Sequence, residues 1–276
     1  VIDTHCHLTL DDFSASTSPG GVVAVLARAA AKGVTGCITI STTTVDCEAA
    51  LAVAKQHANV WCTSGVHPLY SDEGPHAWER MGEVAKHPKC VAWGELGLDR
   101  HYETPAFALQ RQVLDAQLDF IKSWHQANSR TLPMVLHCRE AFDDLVPVLK
   151  ASSLDCTRMV FHCFTAGERE MRMLLDLGSM VSFTGVATYP NAKELHKAIA
   201  LVPLDRMMIE TDAPFLSPHP HRSARPCEPW MASITAAAIA SQRGIAPQAF
   251  VQQINANTTR FFGMQVPTAS SVGGAA

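Results

Sequence analysis

A basic excess is missing from this sequence: 22 Lys and Arg stand against 26 Asp and Glu, and with 13 His counted as neutral the net charge is −4. Proteins that coat nucleic acid in bulk carry a cationic face, so the charge argues against that class. It leaves room for an enzyme that touches a few nucleotides through metal ions and one or two arginines. Long apolar runs are missing too. No stretch approaches the ~18 residues of a membrane-spanning helix, and no membrane partner is expected. The nine cysteines include no C-x-x-C pair; Cys37 and Cys90 lie inside apolar runs and read as small buried hydrophobes of a reducing compartment. A phosphate-cradling Gly-rich loop, a nucleophile elbow and zinc-finger spacing are all absent. So is a signal-peptide pattern, since the chain passes from Val1 straight into an apolar segment, and the cytoplasm is the default expectation. Without an exposed heptad pattern, a monomer with no obligate protein partner is expected.

What is present is an alternation. With 276 residues, 47% of them apolar and 17% charged, the chain can bury a sizeable core. Short β-rich apolar runs fall at 1–4, 34–40, 60–65, 90–95, 132–137, 158–162, 179–183 and 206–210. Longer amphipathic stretches separate them, among them 21–32, 46–56, 105–126, 142–150, 169–177 and 192–200; 229–242 and 247–261 follow the last run. Eight β-then-α units without a linker predict an α/β fold, a closed single-domain (β/α)8 TIM barrel over residues 1–266, with an open doubly wound sheet as the alternative. Residues 267–276 are small and polar and are expected to form a disordered tail.

Barrel active sites form at the C-terminal ends of the strands, and the polar residues gather there. The first run ends in Asp3-Thr4-His5-Cys6-His7. Residues i and i+2 of a strand share a face, so His5 and His7 can form a metal-binding pincer; alone, H-x-H describes two surface histidines equally well. The later runs decide the matter. Glu95 ends the fourth between Gly94 and Gly97, His137 the fifth, His162 the sixth, and Glu210-Thr211-Asp212 the eighth. An unpaired carboxylate buried at a strand end costs several kcal/mol, and a cation that neutralises the group is the least costly explanation. Four His, one Glu and one Asp then make a site for two divalent ions. Strand order divides them: His5, His7 and Asp212 on one ion, His137 and His162 on the other, Glu95 between. Such a pair, roughly 4 Å apart, activates water and stabilises both the attacking and the leaving oxygen.

Around this centre, His67 in Gly65-Val66-His67-Pro68 reads as a substrate or phosphate contact or a proton carrier, or else as a histidine that orients its loop. Arg139, two residues after His137, suits a phosphate oxygen; its alternative is a salt bridge, for instance to Glu140. Thr184 and Gly185 after the seventh run offer a hydroxyl and a close backbone approach. The loop after the eighth run carries Arg222, Arg225 and Glu228, which either grip substrate or face solvent. Trp61, Trp93 and Trp124 read as packing residues, Asn257 as structural, and Gly263 as a helix stop.

Together these segments resemble the TatD-related deoxyribonucleases among the metal-dependent hydrolase barrels. The matching motifs are DTHCHL at 3–8, GVHP at 65–68, GELGLD at 94–99, HCREA at 137–141, HCFT at 162–165 and ETDAPFLSP at 210–218, with an NxNxxxFFG-like segment near the end. The resemblance puts the family's metal ligands on His5, His7, Glu95, His137, His162 and Asp212, the six that the strand argument selects. It implies metal-dependent removal of nucleotides from DNA ends, 3′ to 5′, in repair and turnover, with DNA as partner and magnesium supporting activity. Four imidazoles favour zinc or manganese for tight binding. Asp212 is the candidate base, with Glu95 and His67 as further catalytic residues. The chain departs from the family at Arg222-Ser223-Ala224-Arg225-Pro226-Cys227-Glu228-Pro229, where Cys replaces Asn and a residue is added, and at Ala166 and Leu69, positions where substrate is gripped. Other readings are an ester or amide hydrolase, such as one that removes D-amino acids from tRNA, and a silent metalloprotein, against which six intact ligands argue.

Overall fold

The computed structural model describes residues 1–266, so the tail expected at 267–276 lies outside the described residues. Eight parallel strands form one sheet in sequence order: β1 (Ile2–Cys6), β2 (Gly36–Thr39), β3 (Val60–Ser64), β4 (Cys90–Asp99), β5 (Met134–Arg139), β6 (Met159–Phe161), β7 (Met180–Phe183) and β8 (Met207–Ile209). The sheet curls until its edges meet through a Cys6–Ala213 bridge, closing the expected TIM barrel. The joining bonds involve site residues: the His7 N–H donates to Ala213 O at 2.8 Å and the Asp212 N–H to His5 O at 2.9 Å.

Helices α1 (Gly21–Ala31), α2 (Asp46–Gln56), α3 (Trp78–Lys86), α4 (Phe107–Ala127), α5 (Phe142–Ala151), α6 (Glu168–Leu177), α7 (Lys193–Leu201) and α8 (Ala232–Gln242) follow the strands in turn. Each buries one stripe against the sheet. In α4 the stripe is Gln110, Val113, Leu114, Gln117, Leu118, Ile121 and Trp124, a spacing of three and four that keeps one face inward. Helix α3 is not among the stretches named from the sequence. It is nine residues long, and Glu79, Arg80, Glu83 and Lys86 interrupt the apolar pattern of Met81, Val84 and Ala85. An additional helix, α9 (Pro247–Phe262), ends at Gly263, whose φ of 64° suits a residue without a Cβ. Asn257 on α9 donates to Leu204 O and Met207 O at 2.7 and 2.9 Å, which fixes the helix to the start of β8 and makes this residue structural, as expected.

The barrel interior is layered. Its floor is one apolar cluster with a contribution from every strand, including Ile2, Ile38, Trp61, Val91, Val135, Val160, Met180 and Met208, closed beneath by Phe262 and Met264. Two residues up β5, β6, β7 and β8, on the same face, come His137, His162, Ser182 and Glu210. On these four strands alternation turns an apolar floor into a polar mouth within a single step of two residues. Trp93 and Trp124 pack in the outer, helix-covered layer.

Candidate metal centre

Strand β4 runs to Asp99, four residues past the end expected from its apolar run, because glycines let its backbone continue where side chains would collide. A Cβ on Gly65 would lie 2.7 Å from the Gly94 backbone, and one on Gly97, at φ 154°, would strike the His137 carbonyl. This close seating of β4 between β3 and β5 delivers Glu95, buried to 1% exposure, to the middle of the mouth.

The two oxygens of Glu95 face different groups. Oε1 lies 2.6 Å from His162 Nε2, 2.9 Å from His137 Nδ1 and 3.3 Å from His67 Nε2. Oε2 lies 3.2 Å from His5 Nε2 and 4.0 Å from His7 Nε2. Asp212 completes the second group, with Oδ1 at 3.6 Å from His5 Nε2 and 3.4 Å from His7 Nε2. Asp212 has a φ of 60°, a left-handed conformation that aspartate tolerates better than most residues. The structure thus brings together all six residues selected as ligands, and His67 beside them.

The hydrogen bonds behind the rings decide what they present in front. His137 Nε2 is 2.8 Å from Asp99 Oδ2, so that nitrogen donates to Asp99 and Nδ1 faces Glu95. His7 Nδ1 donates to Ile40 O at 3.3 Å, which turns Nε2 toward Asp212. His162 Nδ1 is turned toward Glu210 Oε1 at 3.5 Å, again leaving Nε2 toward Glu95. Imidazole nitrogens and carboxylate oxygens this close need a proton or a metal ion between them. Both ring nitrogens of His5 are buried without a hydrogen bond, as is His162 Nδ1. Imidazole nitrogens and carboxylates converging in this way fit divalent metal ions. His67 differs. Its Nδ1 accepts the Leu69 N–H at 3.0 Å, so Nε2 bears the hydrogen and the ring offers a donor rather than a ligand, although its atoms cluster with those of Glu95 and His137.

Electrostatics follow from this packing. Burial alone would raise the Glu95 carboxyl, but the surrounding histidines, His162 foremost, outweigh it and hold Glu95 well below the ordinary range. Burial is also opposed at Asp212, where His7, His5 and His162 keep the carboxyl low. At His67 burial prevails and depresses the ring to about 4, which keeps it neutral.

A cavity of about 640 Å³ opens above the centre, and its walls include His67, Arg139, Tyr70, Tyr102, Thr165 and Phe215. Arg139 is exposed and forms no ion pair among the described residues, while Glu140 instead meets His101 at 2.9 Å. The remaining residues selected from the sequence do not line this cavity. Thr184 is buried and accepts the Val186 N–H at 3.4 Å. Arg222 lies over the Tyr189 ring at 3.9 Å, Arg225 donates to Arg222 O and Ala224 O, and Glu228 is held by Arg28 at 2.8 and 2.9 Å. Two carboxylates behind the rings, Asp99 and Glu210, were not selected from the sequence. The strand alternation could have found them, since 95, 97 and 99 share a face of β4, and 210 continues the face of 208 on β8.

The cysteines are all free, with Cys37 and Cys90 buried as expected. Among the described residues no helix is long and apolar enough to cross a membrane. Comparison with known proteins places the chain. The sequence profile described as TatD related DNase matches residues 2–263. The metal-dependent hydrolase YcfH of Escherichia coli K12 is 33% identical over 272 residues, 99% of each chain. The 3′-5′ ssDNA/RNA exonuclease TatD of Klebsiella pneumoniae is 33% identical over 273 residues, 96% of this chain and 99% of its own. Among solved structures, the TatD homologue YJJV of E. coli K12 superposes with a TM-score of 0.85 at 29% identity, covering 96% of this chain and 98% of that one. A barrel whose mouth gathers four imidazoles around a buried glutamate thus matches one family from end to end, and the chain belongs to the TatD-related DNases, a family of metal-dependent hydrolases.

Proposed function

We propose that this hydrolase removes nucleotides from DNA ends, in the 3′ to 5′ direction, with two divalent ions held by His5, His7 and Asp212 on one side, His137 and His162 on the other, and Glu95 between them. The observation that carries the reading is the division of Glu95, one oxygen toward each set of imidazoles. Divalent ions there supply water activation and neutralise the charge that develops on a cleaved phosphodiester. The protein's own groups do the rest. Asp212, kept ionised by His7 and His5, accepts the proton of the attacking water. His67 lines the cavity with its neutral Nε2–H 3.3 Å from Glu95 Oε1, placed to contact a phosphate oxygen held beside the centre, and Arg139, free of an ion pair among the described residues, binds a second phosphate. The name of the Klebsiella relative supports a nucleic-acid substrate. Imidazole-rich donors favour manganese or zinc for occupancy, and magnesium is the third ion to test.

Digestion of a 5′-labelled single-stranded oligonucleotide in Mg²⁺, Mn²⁺ or Zn²⁺, beside EDTA and an Asp212→Asn control, tests this reading. A ladder shortening from the 3′ end, absent with chelator and mutant, is expected. An intact oligonucleotide in every metal would overturn it and turn attention to aminoacyl-tRNA and small esters or amides.

A further inference from the structure

Four large hydrophobic side chains are exposed among the described residues, and two of them, Tyr102 at 49% and Phe215 at 50%, line the same cavity. Exposed apolar residues scattered singly require no explanation. These two are not scattered. Tyr102 stands on the loop after β4 and Phe215 on the loop after β8, four strands apart in a ring of eight, so they face each other across the mouth. Both are anchored to the centre itself. The Tyr102 N–H donates to Asp99 Oδ1 at 3.2 Å, and the same carboxylate holds His137 through its other oxygen. The Phe215 N–H donates to Asp212 O at 2.9 Å, and its ring meets His7 edge-on with centroids 6.3 Å apart. Arg139 lies 5.2 Å from the Tyr102 ring centroid, where it adds a cation to the aromatic wall.

Aromatic rings beside a phosphate-binding cation are what unpaired nucleobases recognise: every base has a π-face to stack, whereas a base inside a duplex has both faces covered. A volume of about 640 Å³ is that of a small-molecule site, suited to terminal nucleotides rather than to an intact helix. Resting on the phosphodiesterase reading, we propose that Tyr102 and Phe215 form the two walls of a base-stacking clamp that selects unpaired strand ends and sets the scissile phosphate between Arg139 and the metal centre.

The test compares two 5′-labelled single strands in the activating metal: an ordinary one, and one whose last two residues are tetrahydrofuran spacers that keep the phosphodiesters but lack bases. Wild type is expected to digest the spacer end with a KM at least about tenfold higher. Tyr102→Ala and Phe215→Ala should each raise KM for the ordinary end by about 5- to 100-fold while leaving the spacer end unchanged. Phe215→Trp should retain the wild-type KM. Equal digestion of both ends by wild type, or alanine variants that lose both substrates alike, would remove the clamp and leave the nuclease standing. Failure of wild type to digest either strand would overturn the nuclease reading and the clamp with it.

Discussion

The two halves of the centre are built differently. His137 and His162 are backed by buried carboxylates: Asp99 takes His137 Nε2 at 2.8 Å, and Glu210 stands 3.5 Å behind His162 Nδ1. Glu210 is itself fixed by the Cys163 N–H and the Ser182 hydroxyl, each at 2.6 Å. On the other side, His7 is backed only by the Ile40 carbonyl, His5 Nδ1 has no partner, and the negative charge stands in front of the rings, on Asp212. One half carries its charge behind the imidazoles, where it orients them and raises their basicity. The other carries it in direct reach of a bound ion. Control should therefore be distributed in the first half and concentrated in a single residue in the second. Asp3 serves the second half as a structural tie: buried, and pushed up to about 8 by that burial, it accepts from the Thr211 N–H and hydroxyl and joins β1 to the segment after β8.

The comparison would break most completely at Glu95, which belongs to both halves. Glu95→Gln should weaken both ions by on the order of 100- to 1,000-fold and leave no measurable turnover, followed by metal titration against a chelator and by oligonucleotide digestion. Asp212→Asn comes next. It should abolish turnover and release only the ion beside His5 and His7, with an unchanged circular dichroism spectrum because the fold does not rest on that side chain. Asp99→Asn should lower the affinity of the ion beside His137 and His162 by roughly 10- to 100-fold and spare the other, as two-phase calorimetric titration would reveal. The smallest effect is expected far from both halves: Glu228→Gln breaks the pair with Arg28, changes unfolding free energy by less than about 1 kcal/mol in urea denaturation, and leaves both ions bound.

Much of this was legible in the sequence. The β-then-α alternation gave the barrel, and the placing of His5, His7, Glu95, His137, His162 and Asp212 at strand ends gave the cluster, because strand ends of a barrel must converge. The backing carboxylates Asp99 and Glu210 follow the same two-residue period, but Gly94 and Gly97 interrupt the apolar run and hide the true length of β4, and Asp99 with it. Other features were not local. Arg222 and Glu228 sit in a loop whose composition suggested substrate binding, yet their partners are Tyr189 and, 200 positions away in sequence, Arg28. No reading of neighbours along the chain can supply such a pairing. Tyr102 and Phe215 likewise gain meaning only when the barrel sets the loops after β4 and β8 opposite each other.

The central claim is a centre of two ions bridged by Glu95 and divided as described. Equilibrium dialysis of wild type and Asp212→Asn against Mn²⁺, with bound metal counted by mass spectrometry, tests it most directly. Two ions per wild-type chain and one per variant chain are predicted. A single ion in the wild type, or the loss of both in the variant, would contradict the account.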